Sequence, residues 1–190
     1  MNTIIGIIGS PRRNGNSATL VRSVLKGAAS GGAKTKEVYL NGLTYKGCQG
    51  CDKCSAKGKC IIRDELTPVI EDLRTAAGWV LASPVYYDEV TGQFKTFWDR
   101  LRTFTIVPGT TTNKPQLQGR RKAVLITTYE DKPRDDYLHI TTILKNYLAW
   151  MGDFGKVEVI SQGALGPRDA VIKRPELMGK AEELGKNVFG

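Results

Sequence analysis

Five short apolar runs, set apart by longer amphipathic stretches, leave this chain few architectures to choose from. The runs fall near Thr3 to Ile8, Lys34 to Leu40, Trp79 to Ser83, Lys122 to Thr128 and Lys156 to Ser161, each dense in Val, Ile, Leu or Ala. Strands apolar on both faces are buried on both sides, which predicts an α/β protein with a parallel sheet between helix layers. The stretches between them carry helical periodicity. Ser17 to Ala29 puts Leu20, Val21, Val24 and Leu25 on one stripe, and Asp64 is a suitable N-cap for Glu65 to Ala76, where Pro68 sits early enough to be tolerated. Phe94, Phe97, Trp98 and Leu101 share a stripe, as do Tyr137, Ile140, Leu144 and Tyr147, and these aromatics are expected in the core or at a subunit contact. A last helix presents Leu177, Ala181, Leu184 and Val188. At 190 residues with no repeat or linker, residues 1–190 are expected to form one domain.

All four cysteines crowd into Cys48-x2-Cys51-x2-Cys54-x5-Cys60, inside a segment from Asn41 to Arg63. That segment is far longer than a βα loop of about 2–6 residues and reads as a functional insertion after the second strand. Four thiolates at such spacing suit the four corners of a [4Fe-4S] cluster, with Gly47, Gly50 and Gly58 expected to supply positive φ. Zinc is an alternative, although its four-cysteine sites usually join two C-x2-C knuckles across a longer spacer. A redox-active C-x2-C pair would leave two cysteines unused, and disulfides at two-residue spacing meet poor geometry. The Thr-, Pro- and Gly-rich segment Thr103 to Gly119 is a second long excursion whose role is not legible.

The formal charge of +9 is spread along the chain without a basic run interleaved with aromatics, so a nucleic-acid partner is not expected. A cluster and a flavin phosphate, each about −2, would bring the loaded protein near +5, enough to steer an acidic redox partner such as a ferredoxin. No apolar run approaches the ~18 residues of a membrane span, and the first residues lack the pattern of a secretory signal. A cytoplasmic protein with reduced thiols is the expectation.

The turn after the first strand, Gly9-Ser10-Pro11-Arg12-Arg13-Asn14-Gly15-Asn16-Ser17, is rich in small and hydrogen-bonding residues. Free N–H groups at the following helix start, with the Ser10 and Ser17 hydroxyls and the Asn16 amide, could surround a phosphate. It lacks the Lys-Ser/Thr pair of a P-loop and the glycine spacing of a dinucleotide fingerprint, and a plain capped turn is the alternative. The third run ends in Ser83-Pro84-Val85-Tyr86-Tyr87, at the switch point where open α/β sheets bind ligands. Thr127, Thr128, Tyr129 and Glu130 would close a third side. The lone His139 is expected at the surface, and no side chain is assigned as acid, base or nucleophile.

Taken together, G-S-P-R-x-N-G-N-S, S-P-V-Y-Y-x-x-V-T-G-Q-x-K and C-x2-C-x2-C-x5-C resemble the iron–sulfur flavoprotein family, within the flavodoxin-like NAD(P)H-dependent FMN reductases. The resemblance implies a flavodoxin-like, doubly wound five-stranded sheet of order 2-1-3-4-5, carrying one FMN and one [4Fe-4S] cluster. By the resemblance Ser10, Arg12, Asn14, Asn16 and Ser17 would hold the phosphate. Pro84, Val85, Tyr86 and Tyr87, with Thr128 and Tyr129, would line the flavin ring, and Cys48, Cys51, Cys54 and Cys60 the cluster. It implies a homo-oligomer, dimer or tetramer, in electron transfer; and because the cysteine loop follows the second strand, on the side of the sheet away from the fourth and fifth, the flavin of one chain is expected to be served by the cluster of another. The rival is an NAD(P)H-dependent FMN or quinone reductase whose metal is structural or absent. Another class is a redox sensor whose cysteine loop is an interaction surface. Plain reductases often carry a glycine-rich loop after the fourth strand, whereas Thr127 to Asp131 has no glycine.

Overall fold

The computed structural model describes residues 2–110, 112–130 and 137–190. Its strands are β1 (Thr3–Ile8), β2 (Lys34–Tyr39), β3 (Gly78–Tyr86), β4 (Glu89–Val90), β5 (Leu117–Thr128) and β6 (Gly152–Gln162). The helices are α1 (Asn16–Ser30), the single turn α2 (Cys54–Lys57), α3 (Leu66–Thr75), α4 (Gly92–Asp99), α5 (Leu138–Met151) and α6 (Pro175–Phe189). Parallel pairing runs β2-β1-β3-β5-β6, the 2-1-3-4-5 order of a flavodoxin-like sheet once β4 is set aside as a short antiparallel hairpin on β3.

Burial follows strand position. The middle strands are enclosed, with Ile4, Ile5, Ile7 and Ile8 of β1 and Trp79 to Ala82 of β3 almost wholly buried. The expectation of two-sided burial fails at the edges: β2 exposes Lys34, Thr35, Lys36 and Glu37, and β6 is only half covered. An edge strand has one neighbour, and its charged side chains discourage pairing with another chain. The two core layers lie on opposite faces. Ile5, Ile7, Trp79 and Leu81 pack with α3, α4 and α5, whereas Ile4, Ile8, Val80 and Ala82 pack with α1 and α6. Alternate residues of each strand thus feed opposite layers, as the period of two requires.

The predicted stripes are where the sequence places them. Phe94, Phe97, Trp98 and Leu101 are buried, and Trp98 stacks on Phe94 at 5.7 Å between centroids. Gly27 on α1 and Gly185 on α6 allow those helices to touch, since a Cβ at Gly27 would fall 1.8 Å from the Glu182 carbonyl oxygen. Among the described residues no helix is long and apolar enough to cross a membrane.

The hairpin of β3 and β4 has no counterpart in the sequence reading. Its two-residue turn, Tyr87-Asp88, has φ of 49° and 61°, as a type I′ turn demands, although neither residue is glycine. His139, exposed as expected, sets its Nε2 2.9 Å from the Asp88 carbonyl at this tip.

Candidate functional sites: a sheet-edge cleft and a cysteine cavity

The ends of β1, β3 and β5 and the loop after β6 enclose a cleft of about 350 Å³. Ser10, Arg12, Asn16, Ser17, Pro84, Val85, Tyr86, Tyr87, Thr128 and Tyr129 all line it. Asn14 does not: its side-chain oxygen accepts from Arg22 at 3.2 Å, on the outer side of the turn. Glu130, expected with Thr128 and Tyr129 on the third side, lines it as well and Thr127 does not, while Gly15, Leu165, Gly166 and Arg168 were not expected there. No local pattern marks residues 165–168; they reach the cleft because β6 lies beside β5 and its chain turns back over α1. Asp131, the last residue of the glycine-free Thr127 to Asp131 segment, lies outside the described residues.

The turn between β1 and α1 has its carbonyls pinned from outside. Tyr39 donates its hydroxyl to the Pro11 carbonyl at 2.7 Å, and Arg22 donates to the Arg13 carbonyl at 2.9 Å while pairing with Glu37. Ser10 Oγ accepts from the Arg12 N–H at 3.0 Å. Helix α1 opens without a side-chain cap, so the first N–H groups, from Asn16 to Ala18, have no acceptor among the described residues. Ser17 Oγ, buried at this helix start, is likewise without a hydrogen-bond partner. Unspent donors and the positive end of a 15-residue helix therefore collect at one end of the cleft.

Asn16 is different. Its amide nitrogen donates to the Leu165 and Pro167 carbonyls at 2.9 and 2.8 Å, and its oxygen accepts from the Val171 N–H at 3.0 Å. The carboxamide expected to face a phosphate instead staples the loop after β6 onto α1. The opposite wall is fixed by Thr91, fully buried, which donates to the Gly9 carbonyl at 2.6 Å and receives Phe94 N–H as the α4 N-cap. Its own N–H donates to Ser83 Oγ, so one residue joins β1, β3 and α4. Tyr87, wholly exposed, stands at the rim in a backbone region where a bulky residue is strained.

The second site is a small, chiefly apolar cavity lined by Cys48, Cys51, Cys54 and Cys60 together with Arg100, Arg102 and Thr103. All four thiols are free, Cys48 and Cys51 exposed and the other two half-buried. Among the described residues no group of three or more His, Cys, Asp or Glu converges closely enough for a single ion, although all four cysteines line the one cavity. Gly50 and Gly58 take φ of 60° and 64° as expected, whereas the third positive angle belongs to Asp52, at 52°, and not to Gly47. Burial pushes the Cys54 thiol up, with Arg102 working against it.

A loop with one helical turn has little core of its own, and this one is held by cations. Arg100, whose side chain is fully buried, donates to the Lys46 carbonyl at 2.7 Å and to Asp64 Oδ2 at 2.8 Å. Its other terminal nitrogen reaches Asp64 Oδ1 at 3.3 Å and the Ile62 carbonyl at 3.4 Å, so a single guanidinium spans both limbs. Arg74 and Thr103 donate to the Gly58 carbonyl at 2.9 and 2.5 Å, and Arg102 pairs with Asp52 at 2.9 Å. Burial opposes the Arg100 charge, yet hydrogen bonding to Asp64 and the charge of Cys60 leave its pKa above the ordinary value. Burial likewise works to raise the Asp64 pKa, but the hydrogen bond from Arg100 wins and holds it below the usual value. Tyr45 donates to the Gln93 carbonyl at 2.7 Å, and burial, aided by the Asp64 charge, pushes its pKa up to about 12.

The excursion from Thr103 to Gly119 has a place here. Ile106 and Asn113 form an antiparallel bridge, and the Gly109 N–H at the tip donates to the Ser55 carbonyl in α2. Pro108 packs so near Gly58 that a Cβ there would come within 3.1 Å of its ring. Arg100 itself escaped the sequence reading, though a charge placed three residues after Phe97 in a buried stripe was a usable signal. The two cavities share no lining residue, and α4 with its continuation runs from Thr91 in one neighbourhood to Asp99 and Arg100 in the other. At ~1.5 Å per residue that is about 12 Å of helix.

Residues 2–152 match the family model of NADPH-dependent FMN reductase, well over half the chain. The chain belongs to that family. Two curated relatives of this FMN reductase member are iron–sulfur flavoproteins. One, from Archaeoglobus fulgidus, is 28% identical over 97% of this chain and 77% of its own length. The other, from Methanocaldococcus jannaschii, is 39% identical over 54% of this chain, which spans about half (53%) of that relative. The fold is also that of an FMN-dependent NADH-azoreductase from Bacillus anthracis, solved with FMN, at 13% identity and a TM-score of 0.71 with both chains fully covered.

Proposed function

We propose that this FMN reductase family member is an electron-transfer flavoprotein, holding FMN in the sheet-edge cleft and a [4Fe-4S] cluster at Cys48, Cys51, Cys54 and Cys60, in a single domain spanning residues 1–190. The observation that carries the reading is that all four cysteines of the chain line one cavity, with none left over. A cubane takes one thiolate at each iron, and four thiols on one cavity match that count.

At the cleft, the fit rests on unspent donors. The uncapped start of α1, the orphaned Ser17 hydroxyl and Ser10 can receive a phosphate dianion, with Arg12 and Arg168 adding positive charge at the wall. Gly15 keeps that end open, since a Cβ there would lie 3.2 Å from both Ser10 Oγ and the Arg12 Cβ. Pro84, Val85 and Tyr86 on one side, and Thr128 and Tyr129 on the other, would flank a flat ring. FMN takes up electrons in pairs and gives them up singly, and the cluster carries them one at a time, so the chain's task is to position and tune the two.

Several features favour an oligomer and a small acidic carrier as partners. Trp150 (61% exposed) and Tyr147 on α5 border Cys48 and Gly50, and an aromatic face beside the cysteine cavity is suited to cover by a second copy. That arrangement would let the flavin of one chain meet the cluster of another. Mixing a cysteine-to-alanine variant with one unable to bind FMN should then restore transfer that neither parent performs. Within residues 46–63, Lys46, Lys53, Lys57, Lys59 and Arg63 outnumber the one acid, Asp52, and although Lys59 pairs with Glu71 the excess makes a basic segment suited to an acidic protein such as a ferredoxin. Reduced thiols would place such a protein in the cytoplasm.

The deciding measurement is the visible spectrum of anaerobically purified protein with iron and acid-labile sulfide analysis. Flavin bands over broad cluster absorbance, with four iron and four sulfide per chain, are expected for a cubane. Zinc in place of iron would sink the cluster and leave an FMN or quinone reductase with a structural metal, the reading the family name favours.

A further inference from the structure

Arg100 has five N–H groups, and the four on its terminal nitrogens face the carbonyls of Lys46 and Ile62 and the two Asp64 oxygens. The fifth, on Nε, is buried and without a hydrogen-bond partner. A buried donor left unpaired is costly, so it calls for an acceptor. Arg100 also lines the cavity that the four cysteines line, in electrostatic contact with Cys60. An arginine used only to pin the loop needs no wall of that cavity.

We propose that Arg100 is a positioning and tuning residue for the cysteine-held cluster: its terminal nitrogens fix both limbs of the loop, and its Nε–H donates into the thiolate shell on the Cys60 side, raising the cluster's reduction potential. The inference rests on the cluster reading above. A hydrogen bond to a ligating sulfur stabilises the more negative, reduced form, because the thiolates carry more charge after the electron arrives. Asp64 has the opposite effect. Its carboxylate neutralises the guanidinium from the side away from the cavity wall, so it holds the potential down while holding Arg100 in place. The pair is therefore a setting with two opposed handles.

The test uses the full chain, loaded anaerobically, with iron and sulfide measured before any titration. Wild-type protein without them overturns the cluster reading itself, and this inference with it. Given a loaded wild type, the cluster midpoint is measured by redox titration followed by electron paramagnetic resonance, and the flavin couple serves as internal control because Arg100 is no part of the cleft wall. Arg100→Lys keeps the charge opposite Asp64 but has no Nε–H and no fork. Its midpoint should fall by the equivalent of about tenfold in the one-electron equilibrium, about 59 mV. Asp64→Asn keeps Arg100 and should move the midpoint up. An unmoved cluster midpoint in fully loaded Arg100→Lys, or shifts of the same sign in both variants, overturns the proposal. If Arg100→Lys loses its iron, Asp64→Asn decides alone: a rise supports tuning, and no change or a fall overturns it. Loss of the cluster from both reduces Arg100 to a mechanical clamp and overturns tuning likewise.

Discussion

The cleft and the cysteine cavity sit on one sheet yet owe their shapes to different physics. The cleft is made from the ends of regular elements. Its backbone donors are aimed by strand pairing and helix geometry, the Ser10 and Ser17 hydroxyls sit on those same element ends, and Thr91 and Asn16 lock neighbouring pieces together. Apart from a 3-10 turn at Leu40–Gly42 and the four-residue α2, the cysteine segment between β2 and α3 has no regular element, and its order comes from guanidinium groups gripping carbonyls and carboxylates. A site built on ladders keeps its shape when one side chain is lost. One built on buried charges should fail sharply when a single charge is removed, because its partner is then stranded.

The largest effect should come from the thiols themselves. Replacing any of Cys48, Cys51, Cys54 or Cys60 with Ala is expected to remove most of the iron and leave bound FMN unchanged, as measured by metal analysis and flavin absorbance. Joint loss of FMN and iron would show that the two sites are not separate structures. Next is Arg100→Met, which leaves the largely covered Asp64 without its cation and should destabilise the protein by up to about 3–5 kcal/mol in denaturant unfolding. A cost below about 1 kcal/mol, the range of a surface pair, would show that the cysteine loop depends no more on this charge than on a surface one.

Within the cleft, Ser17 and Asn16 separate phosphate binding from wall building. Ser17→Ala should weaken FMN by about tenfold to a hundredfold, the worth of a hydrogen bond to a charged group of about 1.5–3 kcal/mol, and leave riboflavin affinity nearly unchanged. Asn16→Ala should weaken both ligands alike, by several-fold, since it loosens the loop that carries Leu165 and Arg168 to the cleft. Calorimetric titration with the two flavins checks both, and a phosphate-selective loss in Asn16→Ala would return that residue to the phosphate shell.

The smallest effect is one of pH. The Asp64 carboxyl titrates lower in the folded chain than its ordinary 3.8. A depressed carboxylate contributes stability that is complete above its unfolded pKa and is lost as pH falls through the folded value. Wild-type stability should therefore decline on the acid side of about pH 4 more steeply than that of Asp64→Asn, which has no proton to take up there. Parallel acid limbs in urea unfolding would show that Asp64 contributes nothing to this dependence.

Much of the fold was legible because local signals agreed. The apolar runs located the five strands of the parallel sheet, and the stripes of Phe94, Phe97, Trp98 and Leu101 on α4 and of Leu20, Val21, Val24 and Leu25 on α1 gave the buried faces. The turn from Ser10 to Ser17 and the cysteine spacing were equally local, since each lies within one short segment. The hairpin at Tyr87-Asp88 was not legible, because its positive φ angles fall on residues that rarely adopt them. The staple made by Asn16 was not legible for a related reason: a carboxamide beside a phosphate-type turn has the same chemistry whether it faces a ligand or a chain 149 residues away. By itself the sequence determined the strand order's raw material, the four thiols and the donor-rich turn. Tertiary structure alone decided that residues 165–168 wall the cleft, that Thr103 to Gly119 buttresses the cysteines, and that Arg100 faces them from a buried ion pair. Those contacts join segments far apart in the chain, and only the packing of the layers brings them together.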